Sequence, residues 1–113
     1  MNPGDIVLVH MPQFSGGPLK LRPALFLAPL PGPYQTILLC GITTQLTPLA
    51  ANWDEEMNPK DADFPATGLH RHSVIRLSYL YAAEPGEIVG RIGSIDSTRR
   101  DRLRKTLSDH LRP

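Results

Sequence analysis

Arg22 stands directly before Pro23, and this pair is the first place in the chain where chemistry can be localised. A guanidinium keeps its charge at any physiological pH, and its planar fork matches phosphate oxygens. Proline pushes the preceding residue toward extended backbone, so Arg22 is held where a loop meets a strand. A charge held still can stabilise charge that builds up in a transition state. The same residue can also be an ordinary loop arginine. Thr43, Thr44 and Gln45 follow the apolar run Ile37–Ile42. Thr44 and Gln45 can bind phosphate or a base edge, or simply cap the loop, and Thr43 can be a simple sheet residue.

Other residue types invite chemistry less strongly. His70 and His72 are two apart and would share a strand face, but two histidines with no third ligand nearby make a weak zinc site. Cys40 is the only cysteine and lies inside an apolar run. It therefore reads as a small core residue, since reactive thiols need a basic, accessible setting. Trp53 can stack on a base or anchor its loop to the core. Arg99, Arg100, Arg102, Arg104 and Lys105 cluster near the C-terminus. They make either an anchoring patch for an RNA backbone or an acidic peptide, or a solubilising helix face.

The whole-chain bounds are consistent with one domain over residues 1–113. Apolar residues make up 41% and charged residues 20%, an ordinary globular balance. Net charge is +1, so any contact with nucleic acid must come from a local patch. The lone cysteine excludes an internal disulfide and fits a reducing cytosol. No apolar run approaches a membrane span, and no signal peptide is visible after Met1. A cytoplasmic protein with no membrane contact is expected. The twelve prolines are about twice the usual share. Proline breaks helices and punctuates strands, which favours short strands joined by stiff loops.

These residues need elements to position them. Ile6–Val9 follows the turn signal Gly4-Asp5 and reads as a first strand ending near Met11-Pro12. Pro12–Arg22 is a loop, broken by Gly16, Gly17 and Pro18. Pro23–Leu30 is a second strand. Gln35–Thr43 is apolar on both faces, the mark of a central, doubly buried third strand. Thr47–Gly68 is proline-interrupted and acidic, a long surface excursion with a short helical turn near Trp53. From Ser73 to Tyr81 a strand alternates, with Ile75, Leu77, Tyr79 and Tyr81 on one apolar face and Arg76, Ser78 and Leu80 on the other. Glu87–Ile92 is a further strand, with Gly90 as a bulge. Asp96 caps a helix whose Leu103, Leu107 and Leu111 form one stripe. The fold expected is mainly β (α+β): a twisted, partly closed antiparallel barrel with one C-terminal α-helix packed on it.

The ordered set of segments resembles the MazF/PemK toxin family. Gly4-Asp5-Ile6-Val7 is similar to the family's opening. Leu21-Arg22-Pro23-Ala24-Leu25-Phe26-Leu27 resembles its Arg-Pro followed by an apolar strand. Ile42-Thr43-Thr44-Gln45 resembles the end of its third strand. Thr67-Gly68-Leu69 with Ser73-Val74-Ile75-Arg76-Leu77, and Gly90-Arg91-Ile92-Gly93 before a capped helix, are similar too. No single motif is specific, but their order spans almost the whole chain.

The resemblance implies an SH3-like barrel, usually a homodimer. It also implies a toxin of a type II toxin–antitoxin system, a metal-independent endoribonuclease that cuts single-stranded RNA and leaves a 2′,3′-cyclic phosphate. No cofactor is expected, and the expected partners are single-stranded RNA and a cognate antitoxin. Such cleavage needs a base for the 2′-hydroxyl, an acid for the leaving 5′-oxygen and a group to hold charge on the phosphorane. By resemblance, Arg22 and Thr43 are the catalytic pair, and Thr44, Gln45, Arg76 and Ser15 are RNA contacts. Arg76 can equally be a solvated cross-strand charge, since it alternates with Ile75 and Leu77.

The departures concern proton transfer. Many relatives carry an acid or histidine in the loop before Arg-Pro, where this chain has Ser15–Lys20 without one. An aspartate two residues after the strand arginine is here Ser78, and a downstream arginine is Tyr81. His10 is the nearest substitute in sequence and reads as structural. A catalytically weak PemK-like RNA- or partner-binding module, or a CcdB-type gyrase inhibitor on the same fold, are the competing readings. Arg22-Pro23 and Thr43 argue against the latter.

Overall fold

A computed structural model describes residues 1–11 and 17–112. Ser15, an expected RNA contact, lies outside the described residues. Six strands and one helix follow the order β1 (Asp5–Met11), β2 (Lys20–Pro29), β3 (Ile37–Thr43), β4 (Glu55–Met57), β5 (Ser73–Ala83), β6 (Ile88–Ser94) and α1 (Ser97–Leu111). They form a single antiparallel sheet in the spatial order β4-β5-β3-β2-β1-β6. The expected α+β architecture is present, but the sheet does not close: β4 and β6 remain as its edges. As the doubly apolar run implies, β3 lies between β2 and β5.

Two apolar clusters divide along the faces of the sheet. One holds Ile6, Leu25, Leu27, Cys40, Ile42, Ile75 and Leu77, covered by Leu103 and Leu107 of α1. Each fully buried leucine of this kind contributes about 1.5–3 kcal/mol relative to an exposed one. Leu111, the third member of the stripe, is 69% exposed and borders an open groove with Leu27, Ala28 and Leu38. The other face holds Val7, Val9, Ala24, Phe26, Ile37, Leu39 and Ala83, with Tyr79 and Tyr81 packed against them.

This division corrects the expected alternation along β5. Ile75 and Leu77 lie on the helix side, whereas Tyr79 and Tyr81 lie on the opposite face. The cause is a bulge. Cys40 and Gly41 are adjacent on β3, but their partners on β5 are Leu80 and Arg76, with Leu77, Ser78 and Tyr79 between them. An odd number of extra residues inverts the pleat. Tyr79 lies over Gly41, its ring 3.7 Å from where a Cβ would stand.

The long excursion is not a free surface loop. It contributes the edge strand β4, paired to Ser73–Ile75, and a 3₁₀ turn at Phe64–Thr67. The short turn expected near Trp53 is a single hydrogen-bonded turn: the Ala50 carbonyl accepts from the Trp53 and Asp54 N–H groups at 3.1 and 2.9 Å, and Asn52 (φ 60°) keeps it from continuing as a helix. Trp53 packs on the helix-side core, its ring edge-on to His110 at 4.8 Å between centroids, so it anchors the excursion. Gly68 (φ 74°) and Gly93 bring the 3₁₀ turn against β6. A Cβ on Gly93 would stand 2.3 Å from the carbonyl oxygens of Ala66 and Thr67.

The basic residues at the start of α1 oppose the helix dipole, and the acidic excursion neutralises them. Asp96 caps the helix, accepting from the Arg99 N–H at 2.7 Å. The Arg99 guanidinium, 11% exposed, meets Glu55 at 3.1 Å, Asp61 at 3.0 Å and Asp63 at 3.1 Å. Arg102 meets Glu55 at 2.8 Å. Two members of the expected anchoring patch are therefore committed internally. Burial works to raise the Asp63 carboxyl, but hydrogen bonds from Arg99 and from the Asp96 N–H outweigh it and hold the group below its ordinary value.

Gly93→Ala is expected to destabilise the fold by about 1–3 kcal/mol or more, because the clash is with backbone. Gly90→Ala, where nothing stands within 4 Å of the new Cβ, should stay within about 0.5 kcal/mol by urea titration. A carboxyl depressed on folding adds stability above its unfolded pKa, lost as pH falls through the folded value. Melting temperature should therefore fall on acidification below about pH 4. Asp63→Asn should lower it at pH 7 and flatten the acid limb.

Candidate functional site

Arg22 sits inside β2, which starts at Lys20 rather than at Pro23, because Lys20, Leu21 and Arg22 pair with Met11, His10 and Val9 of β1. Across the other edge of β2, Ala24 pairs with Gly41. The pairing ends there, and Arg22 and Thr43 each stand two residues beyond it with the parity of Ala24 and Gly41. Residues two apart on a strand project to the same face, so the two side chains share with Ala24 the face away from α1. Arg22 is half-buried, and its Nε is fully buried with no hydrogen-bond acceptor among the described residues. A desolvated donor left without a partner costs about 1–3 kcal/mol, which makes it a natural seat for an acceptor brought by a ligand. His10 pairs with Leu21 and therefore points to the opposite face from Arg22. It cannot supply the missing proton-transfer group beside Arg22.

Thr43 is the last residue of β3. Its Oγ1 accepts from the Gln45 N–H at 3.1 Å, a local turn that fixes the hydroxyl. Thr43, Gln45, Pro48, Arg76 and Ser78 line a cleft of about 350 Å³. Thr44 is exposed and outside that lining. Arg22 is also outside it, on the far side of β3 from Arg76, so Thr43 is the residue common to both groups. Three of the expected contacts, Thr43, Gln45 and Arg76, thus meet in one cleft.

Arg76 differs from the solvated cross-strand charge its alternation suggests. It is buried, with its side chain 8% exposed. Nη2 donates to the Gln45 carbonyl at 2.8 Å, and Nη1 donates to the Pro48 carbonyl and to Asp54 Oδ2 at 3.3 Å. The guanidinium clamps the loop that follows Thr43. Asp54, with 1% of its side chain exposed, was not marked out by the sequence beyond the acidity of its segment. It accepts from the Ala50 N–H at 3.2 Å, and from the N–H and hydroxyl of Ser78. The usable signal was an arginine on an otherwise apolar strand, which requires a buried counter-charge.

The sequence profile of the PemK-like, MazF-like toxins of type II toxin–antitoxin systems matches residues 2–111. The chain belongs to this family. A search of curated protein sequences gives no match. Among solved structures, the fold is similar to the Mycobacterium tuberculosis toxin MazF-mt6, with a TM-score of 0.68 at 16% identity over 95% of both chains.

Ser78 and Tyr81, the two strand positions singled out by the resemblance, have clear environments in this PemK/MazF-like chain. Ser78 hydrogen-bonds Asp54. Tyr81 donates to Glu87 at 2.5 Å. That bond, with burial second, pushes the Tyr81 hydroxyl up to about 12; the same bond, with the Glu84 N–H second, holds the Glu87 carboxyl below its ordinary value against burial. Neither group exchanges protons near neutral pH. Burial pushes the Cys40 thiol far up, as expected for a core residue. His72 lies 3.6 Å from the Glu56 carboxylate. Among the described residues no group of three or more His, Cys, Asp or Glu could hold a metal ion, and no helix is long and apolar enough to cross a membrane.

Removing either member of the Arg76–Asp54 pair leaves the other charge buried alone. Asp54→Ala and Arg76→Ala are each expected to cost about 3–5 kcal/mol. The double variant should cost less than the sum of the two, as chemical denaturation would read.

Proposed function

We propose that this toxin is an endoribonuclease that cleaves single-stranded RNA in the cytoplasm without a resident metal, acting as a homodimer restrained by a cognate antitoxin. Family membership supports the toxin role. One observation of the fold supports the nuclease reading: strand parity puts Arg22, whose buried Nε has no acceptor among the described residues, on the same face as Thr43. Arg22 holds the charge of the phosphorane, since its guanidinium is fixed on a strand and faces no competing carboxylate among the described residues. The Thr43 hydroxyl, its oxygen engaged by the Gln45 N–H, donates to a phosphate oxygen. The 2′-oxygen attacks phosphorus, the 5′-oxygen leaves, and a 2′,3′-cyclic phosphate remains. Gln45 and Thr44 flank the path of the strand.

A second reading is favoured by a specific observation. Among the described residues, Arg76 is the one titratable side chain lining the cleft, and it is already bonded. A site without a free acid or base suits a module that binds RNA and cuts it slowly or not at all.

Purified protein incubated with a long single-stranded RNA in EDTA separates the two. The nuclease reading expects metal-independent cuts ending in cyclic phosphates, reduced about 10²–10³-fold in Arg22→Ala, the usual loss for one transition-state donor. Absence of cuts together with salt-dependent binding supports the module. Cuts that persist undiminished in Arg22→Ala contradict the assigned pair.

A further inference from the structure

Ser78 stands on the wall of the cleft, in the bulge of β5, where no ladder bond is available to it. Its N–H donates to Asp54 Oδ1 at 3.0 Å, and its Oγ lies 2.9 and 3.1 Å from the two carboxylate oxygens. Those oxygens also accept from Arg76 Nη1 and from the Ala50 N–H. Every partner of the carboxylate among the described residues is a donor, so the Ser78 hydroxyl donates as well. A hydroxyl has one proton and two lone pairs. With its proton held by a carboxylate that is itself buried, Ser78 presents only lone pairs to the cleft.

Thr43, on the same cleft, has the reverse polarity. Its oxygen accepts from the Gln45 N–H, and its own proton meets no acceptor among the described residues. One wall therefore offers a donor and the other an acceptor. A phosphate oxygen or a base carbonyl is matched at Thr43 and mismatched at Ser78, where lone pair would face lone pair.

We infer that Ser78, oriented by Asp54, is a specificity-determining acceptor that reads a hydrogen-bond donor of the bound nucleotide, either a base amino group or the ribose 2′-hydroxyl. This rests on the reading of the cleft as an RNA site. Ser78 takes no part in proton transfer, because its proton is already committed.

The probes are uridine tracts about twelve nucleotides long, within the span a single-strand groove covers, with a central uridine, cytidine, adenosine, inosine or guanosine. Each is made in ribo and deoxyribo form. Binding of the full chain is followed by fluorescence anisotropy in EDTA at one salt concentration, with intact probe confirmed on a gel. The wild-type protein should favour an amino-bearing base over its carbonyl or unsubstituted counterpart, or ribose over deoxyribose, by roughly three- to tenfold, the worth of one neutral hydrogen bond. The first pattern assigns the base amino group and the second the 2′-hydroxyl. Ser78→Ala should bind within a fewfold of wild type but lose that preference, and Ser78→Thr, which keeps the hydroxyl, should retain it. Preference unchanged in Ser78→Ala, or no preference in the wild type, overturns the inference and leaves the RNA reading standing. Failure of the wild type to bind any probe overturns both.

Discussion

The geometry of this toxin depends on one buried ion pair. Arg76 and Asp54 meet where a bulge interrupts the longest strand, and each also serves the backbone around it. Arg76 takes up two carbonyls of the segment after Thr43, and Asp54 satisfies the N–H that the bulge leaves out of the ladder. Two charges out of water are costly, and their attraction offsets that cost only when the remaining hydrogen-bonding capacity is filled. Here it is largely filled by backbone. The pair therefore acts as a fastener. It converts a long loop into the wall of a cleft and sets Thr43, Gln45 and Ser78 around it.

A second electrostatic layer holds the other end of the excursion. Arg99 at the start of α1 gathers three carboxylates, and Gly68 and Gly93 allow the 3₁₀ turn to lie flat on β6. The acidity of the excursion and the basicity of the helix, unremarkable as net charge, are two halves of one internal contact. The excursion is thus tied at Asp54, at Trp53 and at Asp61–Asp63, which leaves Thr43 between an arginine that is consumed, Arg76, and one that is not, Arg22.

Much of the sheet was legible because its signals are local. The apolar runs at Ile6–Val9 and Ile37–Ile42, the Asp96 cap and the Leu103–Leu107 stripe each correspond to an observed element. The bulge was not legible. The period-two pattern of Ile75, Leu77, Tyr79 and Tyr81 is the pattern of an unbroken strand, and only pairing with β3 shows the inversion. Strand β4 was hidden for a similar reason: Glu55–Met57 has no strand character apart from its neighbour. Of the candidate site, Arg22 and Thr43 stand out through Pro23 and through resemblance. Asp54 was not, since a carboxylate among many acidic residues acquires meaning only from the arginine it reaches across the fold.

In the proposed function the Nε–H of Arg22, without an acceptor among the described residues, receives a phosphate oxygen beside Thr43. The most direct test of that contact is an ¹⁵N-detected titration of the arginine Nε–H signals with a single-stranded deoxyoligonucleotide, which lacks the 2′-hydroxyl and cannot be cut by its attack. The account expects the Arg22 resonance to move saturably, together with the amides of Thr43 and Gln45, while Arg99 stays in place. An Arg22 signal that stays still while the oligonucleotide binds and shifts resonances elsewhere would contradict it.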